Sequence, residues 1–146
     1  MNTQPFVVTP KNYPRPLNVV GEHITVLASS EATKGYELFF QEGPEGSGPP
    51  PHSHPWDESF YVIQGEIEFG IEKENFIGAP GTLAHIPAGT THWFHFGKGG
   101  GQMVSMTSRL GASRMFADID REISPDRPDL EKLVGIGARH GVTVAV

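Results

Sequence analysis

Three histidines and one glutamate stand at spacings that could hold a metal ion. His52 and His54 are two residues apart, so on a strand their side chains point to the same face. Glu58 keeps this parity, and His92 follows a Pro-Ala-Gly turn further along the chain. Imidazole nitrogens together with a carboxylate oxygen suit a divalent transition metal. The sequence therefore predicts one such ion, and iron, manganese, nickel, cobalt, copper and zinc all remain open.

Glycines and a proline at fixed positions around these four residues give a family resemblance. The first stretch, from Gly46 to Gly65, reads G-x5-HxH-x3-E-x6-G, and the second, from Gly81 to His92, reads G-x5-PxG-x2-H. These resemble the paired motifs of the cupin superfamily, except that Phe96 stands where the family pattern has asparagine. That asparagine is not one of the family's metal ligands. The resemblance implies four ligands: His52, His54, Glu58 and His92.

The form of the first motif, His-Ser-His-Pro-Trp-Asp-Glu, is similar to that of the quercetin-dioxygenase-like monocupins, and the resemblance covers about residues 20–110. It implies an oxygenase that acts on a flavonol or another enolic aromatic compound bound to the metal through oxygen. Glu58 would be both a ligand and the catalytic group that takes the substrate hydroxyl proton. One fold hosts many functions, so two alternatives stay open. They are a metal-dependent isomerase, cyclase or lyase without redox change, and a non-catalytic small-molecule-binding barrel.

Composition and charge favour one small domain whose partner is a small molecule. The 146 residues are about the size of one domain, and the absence of cysteine excludes disulfides and thiolate ligands. The formal net charge of -6 argues against nucleic acid or an anionic membrane as a partner. We find no secretory signal pattern and no apolar run of membrane-spanning length, and we expect a cytoplasmic protein.

The elements that must position these ligands are predicted as short strands separated by turn residues. The resemblance narrows this all-β pattern to a cupin jelly-roll β-barrel with a short C-terminal helical tail. We expect an extended N-terminal arm over residues 1–17, the barrel domain over 18–111 and the tail over 112–146. A hairpin loop is predicted over 29–35. Strands are predicted over residues 22–28, 35–41, 58–64, 66–72, 82–86, 91–96 and 102–109.

Alternation along the ligand strands predicts which side chains surround the metal. Phe60 and Val62 point the same way as Glu58, and Phe94 and Phe96 point the same way as His92. We expect these four apolar residues to line a substrate pocket. The alternative is that they only fill the barrel core.

The tail carries two helical patterns and a β-branched end. Helices are predicted over residues 114–121 and from Leu130 to about Gly137, with Gly141 as a C-terminal stop. They should cover part of the barrel or a neighbouring subunit. Residues 142–146 could add a strand to an exposed sheet edge. Because this end and the arm could cross to a partner, we expect a homodimer; folding back onto their own barrel is the alternative.

The other histidines are not expected to bind metal. His95 falls on the opposite face from His92, His85 lies outside the family's ligand positions, and His23 has no evident partner. His140 should only interact with the dipole of the last helix. Two further residues beside the ligand strand, Trp56 and Asp57, could border the pocket mouth or shape a turn.

Overall fold

The computed structural model describes residues 3–108 and 111–145, so Arg109 at the end of the predicted last strand and Val146 lie outside the described residues. Eleven strands are found in the described part of the chain: β1 Leu17–Val19, β2 Glu22–Ala28, β3 Tyr36–Gly43, β4 His52–Ser53, β5 Glu58–Gln64, β6 Ile67–Ile71, β7 Glu74–Gly78, β8 Leu83–Ile86, β9 His92–Phe96, β10 Gly101–Ser108 and β11 Thr143–Val144. The helices are α1 Ser30–Thr33, α2 Ala112–Glu122 and α3 Leu130–Arg139, and a 3-10 turn covers Pro10–Asn12.

The strands form two antiparallel sheets that face each other. One has the order β1-β2-β3-β10-β5-β8, and the other β11-β4-β9-β6-β7. Gly65 carries the chain from the first sheet to the second with a φ of 76°, and a Cβ there would collide with the Gly100 carbonyl oxygen. The core between the sheets is drawn from both of them: Phe60, Val62, Ile86 and Met103 from one, Ile67, Phe69, Phe94 and Phe96 from the other. This architecture confirms the predicted all-β jelly roll with a short C-terminal helical tail.

Inward and outward side chains alternate along the strands that carry the ligands. In β5, Glu58, Phe60 and Val62 are buried in turn, and in β9 the buried set begins with His92. Both strands therefore start with a polar ligand and continue with apolar side chains. The polar groups gather at one end of the barrel, and the hydrophobic core fills the rest.

Helices α2 and α3 cover the end of the barrel at which the ligands lie. Ile119 of α2 and Ile123, just past its end, pack with Ile136 of α3 and with β1, and Ala112 packs in one cluster with Trp56 beside the ligand strand. We call these two helices the lid. Its position agrees with the expectation that the tail covers part of the barrel. A buried glutamate of β3, Glu37, accepts hydrogen bonds from Ser113 N (2.9 Å) and Ser113 Oγ (2.5 Å) in the first turn of α2.

The C-terminal segment folds back onto its own barrel. Strand β11 pairs antiparallel with β4, so that Thr143 is opposite Ser53 and Val144 is opposite His52. This confirms the predicted strand addition and shows that the edge covered is that of the ligand strand itself. In the structure this segment therefore lies on its own barrel, and the homodimer stays a prediction.

The predicted hairpin loop joins β2 to its antiparallel neighbour β3, as expected, but it contains a helical turn. Residues 29–35, expected as a hairpin loop, contain the single turn α1. Ser29 is the reason: its side chain accepts a hydrogen bond from Ala32 N (3.3 Å) as an N-cap, and Lys34 ends the turn in the left-handed conformation. No described helix is long and apolar enough to cross a membrane.

Candidate metal centre

Two neighbouring strands, β4 and β9, bring the predicted histidines together. His52 of β4 is directly opposite His92 of β9, and their ring centroids are 4.3 Å apart. His54, just past the end of β4, lies 4.8 Å from His92 between centroids. One ligand nitrogen from each of the three rings lies within 4.8 Å of the other two. His54 and His92 are buried, with 6% and 1% of their surface exposed.

Glu58 lies against two of these rings. Its Oε1 is 3.1 Å from His54 Nε2 and 3.3 Å from His92 Nε2. It begins β5 in the opposite sheet, so the cluster joins the two sheets at the lid end of the barrel. The four predicted ligands thus occupy one small volume.

Backbone carbonyl groups fix which nitrogen of each ring faces the cluster. His52 Nδ1 lies 2.8 Å from Pro50 O, His54 Nδ1 lies 3.1 Å from Trp56 O, and His92 Nδ1 lies 2.9 Å from Thr90 O. A carbonyl oxygen only accepts hydrogen bonds, so each Nδ1 must carry the hydrogen. In a neutral ring this leaves the Nε2 lone pair free, as metal-binding histidines require.

This arrangement calls for a positive charge between the rings and Glu58. With hydrogen on every Nδ1, the Nε2 atoms of neutral His54 and His92 are acceptors, and so is the Glu58 carboxylate. Two acceptors about 3 Å apart repel each other unless a proton or a cation lies between them. Three imidazole nitrogens and one carboxylate are suitable donors for a divalent transition metal, and the residues present therefore fit such an ion.

The electrostatics keep the ligands in their metal-binding forms. Burial opposes the charge of Glu58, but donation from His54 and His92, which needs a proton on their Nε2 atoms, outweighs it and lowers the pKa of Glu58 to about 2. Burial, helped by the neighbouring His92, lowers the pKa of His52 to about 4. At neutral pH Glu58 is therefore ionised and His52 is neutral.

The loop after His54 holds that ring in place. Trp56 is buried and stacks on His54, with centroids 4.4 Å apart and planes only 9° from parallel. Asp57 Oδ1 accepts a hydrogen bond from Ala88 N (2.9 Å), and Gly89 N donates to His54 O (2.9 Å). The Pro-Ala-Gly turn before His92 is therefore bonded to the first motif. Of the roles left open for the two loop residues, Trp56 borders the pocket and Asp57 stabilises a turn.

A cavity of about 410 Å³ opens beside the ligands. His52, His54 and Glu58 form part of its wall, and the remaining wall is mostly apolar. The lid contributes Met115, Phe116, Ile119 and Leu133, and β1 contributes Val19.

The predicted pocket residues divide between this cavity and the core. Phe94 lines the cavity, whereas Phe60, Val62 and Phe96 belong to the core between the sheets. The reason is depth: these three lie further along their strands than the ligands, where the sheets close on each other and Phe69 and Met103 fill the space. For them the structure replaces the pocket prediction with the alternative, packing in the core.

A second buried carboxyl group lines the cavity and was not predicted. Glu22 of β2 is 5% exposed, and its Oε1 accepts a hydrogen bond from Gln41 Nε2. Gln41 Oε1 in turn accepts one from Ser105 Oγ. Burial raises the pKa of Glu22 to about 8 against the effect of the Gln41 hydrogen bond, and the charge of Glu58 adds to the rise. Glu22 is therefore a neutral acid at neutral pH.

The remaining histidines lie outside the cluster. His85 Nδ1 bonds with Ser59 Oγ (2.9 Å), and His95 packs beside Trp93. His23 is exposed. His140 does more than expected, since its Nε2 lies 2.7 Å from Asp118 Oδ2 and so links the two lid helices.

Comparison with known proteins supports this interpretation. Residues 39–105, which contain all four predicted ligands, match the Cupin_2 family, described as a cupin domain. The chain is similar to quercetin 2,3-dioxygenase of Bacillus subtilis (strain 168), with 28% identity over 97 residues. This match covers 65% of the chain but only 29% of that protein.

Solved structures share the fold. An RmlC-like cupin from Shewanella frigidimarina has a TM-score of 0.67 at 14% identity, covering 78% of this chain and 99% of that one. The polyketide cyclase RemF from Streptomyces resistomycificus has a TM-score of 0.61 at 18% identity, and the match covers 72% of this chain and 80% of that one. The match across the ligand strands and the fold common to these structures show that this chain belongs to the cupin superfamily.

Proposed function

We propose that this protein is a metal-dependent oxygenase of the quercetin 2,3-dioxygenase-like type, which acts on a small aromatic or enolic compound. One observation carries the proposal: a cluster of three imidazoles and one carboxylate lies at a largely apolar cavity, and two of the imidazoles and the carboxylate form part of its wall. His52, His54, Glu58 and His92 would hold one divalent ion. Such an ion would polarise an enolic oxygen and, if redox-active, activate dioxygen. With four protein ligands, up to two positions stay open for these molecules.

The cavity suits an apolar substrate. Its volume of about 410 Å³ lies in the range of small-molecule sites, and aromatic and aliphatic side chains form most of its wall. Neither lysine nor arginine is among its lining residues in the described part of the chain, so no side chain there would neutralise a phosphate. An aromatic or enolic compound fits these properties better than a sugar phosphate.

Glu58 is the proposed catalytic base. Its second oxygen, Oε2, makes no hydrogen bond among the described residues and is free to meet a hydroxyl group. A carboxylate whose pKa is about 2 is a weak base. It will therefore take a proton from an acidic hydroxyl, such as that of an enol or a catechol, more readily than from an alcohol. This agrees with the substrate class that the cavity favours.

Oxygen uptake tests the proposal. The protein is loaded separately with each of the six metals, incubated without air with a panel of flavonols and catechols, and then exposed to air. We expect uptake of oxygen with at least one redox-active metal, its loss in His54→Ala and its retention in His85→Ala. The absence of uptake with every metal and compound would refute the oxygenase function.

A second function is favoured by the two carboxyl groups of the cavity. Glu58 is ionised and Glu22 is neutral, so a base and an acid line one cavity, as in enzymes that isomerise or cyclise a substrate without redox change. This function predicts turnover that is independent of oxygen and supported by redox-inert zinc. Activity that requires both oxygen and a redox-active metal would exclude it.

We also propose that the protein is a homodimer. The arm before β1 carries exposed apolar side chains, with Phe6 50% and Val7 84% exposed, and a second copy could cover them. Light scattering at micromolar concentration should give a dimer for the full chain and a monomer after removal of residues 1–8. A monomeric full chain would contradict this proposal.

A further inference from the structure

Glu22 is a buried carboxyl group that the proposed oxygenase chemistry does not use. It occupies an inward position of β2, between Val20 and Ile24, which also line the cavity. Burying a carboxyl group in such surroundings is costly unless it has hydrogen-bond partners or stays neutral. A carboxyl group in this largely apolar wall, outside the metal cluster, indicates a role toward whatever fills the cavity.

Three side chains fix the direction in which Glu22 can act. Ser105 Oγ donates to Gln41 Oε1, and this orients the Gln41 amide so that its Nε2 donates to Glu22 Oε1. Because Oε1 already accepts this hydrogen bond, the proton of the neutral acid belongs on Oε2. Among the described residues Oε2 has no hydrogen-bond partner. The network therefore presents an O–H donor on a cavity-lining residue.

The charges around the cavity favour an uncharged acceptor for this donor. The titratable groups that line the wall are Glu22, Glu58, His52 and His54, and the last three belong to the metal cluster. The lid and β1 add only apolar side chains and Gly137. A ligand anion would find no positive charge near Glu22, whereas a carbonyl oxygen would find a hydrogen bond.

We infer that Glu22 is a specificity-determining residue that donates a hydrogen bond from Oε2 to a carbonyl oxygen of the substrate, while another oxygen of the same molecule binds the metal. The substrate class is thereby narrowed to apolar compounds that combine an acidic hydroxyl group with a separate ketone or ester carbonyl. This inference rests on the proposed function, because it assumes that the metal holds the hydroxyl oxygen.

Binding to the zinc-loaded protein tests the inference without any turnover. The probes are two pairs of catechols of matched size, one carbonyl compound and one alkyl compound in each. They are 4-acetylcatechol with 4-ethylcatechol, and 4-(3-oxobutyl)catechol with 4-butylcatechol. We expect wild type to bind the carbonyl member of at least one pair about fivefold more tightly than its alkyl partner, as one net hydrogen bond predicts. Calorimetry gives the dissociation constants.

Two variants separate hydrogen bonding from shape. Glu22→Gln keeps a neutral donor in the same place, because its carbonyl oxygen can accept from Gln41 while its N–H faces the cavity, and it should keep most of the preference. Glu22→Leu has no donor and should lose it. Comparing the ratio within each pair across variants cancels the different acidities of the catechols. Zinc content and thermal unfolding identify variants that fail to fold. If Glu22→Leu does not fold, the carbonyl preference of Glu22→Gln still tests the inference.

The carbonyl preference should also fall in wild type once the pH is high enough to remove the Glu22 proton, and should not fall in Glu22→Gln. Equal binding of both members of each pair by wild type, or an unchanged preference in Glu22→Leu, would overturn the inference and leave the proposed function intact. If none of the four catechols binds wild-type zinc protein, the inference is overturned, and oxygen uptake with the wider panel decides the proposed function separately.

Discussion

The lid should depend on one buried carboxylate of the barrel. Glu37 is fully buried on β3, and besides the two groups of Ser113 it accepts a hydrogen bond from Ser30 N (3.0 Å) at the start of α1. The residue before α2, Gly111, has no side chain with which to cap that helix, so Glu37 satisfies its first turn from a distant strand. Glu37→Ala would leave three donors without an acceptor and open a void beneath the lid.

The cost follows from these contacts. Each hydrogen bond to a carboxylate contributes on the order of 1–2 kcal/mol, and the void adds more, so we expect Glu37→Ala to lower the free energy of unfolding by about 3–5 kcal/mol. Glu31→Ala is the matched control: it removes another glutamate bonded to α2, through Arg114 at 3.0 Å, but this pair is exposed and should contribute less than about 1 kcal/mol.

Urea unfolding measures both variants, and hydrogen exchange of the α2 amides locates the change. The amides of α2 should exchange faster in Glu37→Ala, and metal content should stay near that of wild type if the variant folds. A Glu37→Ala protein within about 0.5 kcal/mol of wild type, or one with unchanged exchange in α2, would refute the argument that Glu37 anchors the lid.

Further predictions concern packing and pH. A Cβ on Gly70 would collide with the Trp93 indole, so Gly70→Ala should lower the free energy of unfolding by about 1–3 kcal/mol. The control, Gly135→Ala in α3, meets open space and should raise the free energy of unfolding slightly. A Gly70→Ala protein as stable as wild type would contradict this packing. Glu22 has a pKa raised to about 8 in the fold, so the native state binds the extra proton and stability should fall as pH rises from about 4.5 to 8. Glu22→Gln should therefore gain stability relative to wild type across that window, and a difference independent of pH would contradict it. His52 has a pKa lowered to about 4 in the fold, so its ring stays neutral there while the unfolded chain takes up a proton. The metal-free protein should therefore lose stability as the pH falls from 6.5 to 4, and His52→Ala should lose less. An NMR titration that gives His52 a pKa near 6.5 would contradict this prediction.

The sequence was sufficient for the parts of the site that depend on local periodicity. The His-x-His spacing and the parity of Glu58 depend only on the alternation of a strand, and the structure brings these residues together with His92. The jelly roll followed from the paired motifs and the short strands. The N-cap at Ser29 was missed, although serine at that position is itself a helix-start signal.

The cavity could not be predicted in the same way, because it is formed by residues far apart in the chain. Parity shows that Phe60 and Phe96 point inward, but not whether a facing side chain fills the space before them. Met115 and Leu133 reach the site only because α2 and α3 fold over the end of the barrel. Glu22 did leave a signal, since it is a charged residue at the inward parity of Ile24.

Metal content tests the central claim most directly. The protein is stripped, reloaded with zinc or manganese, freed of excess ion and analysed for metal per chain, together with four variants. We expect one ion per chain in wild type and in the controls His85→Ala and His95→Ala, and severe loss in His54→Ala and His92→Ala, because each of the last two removes a ligand bond. Full metal content in both His54→Ala and His92→Ala, or loss of metal in either control, would contradict it.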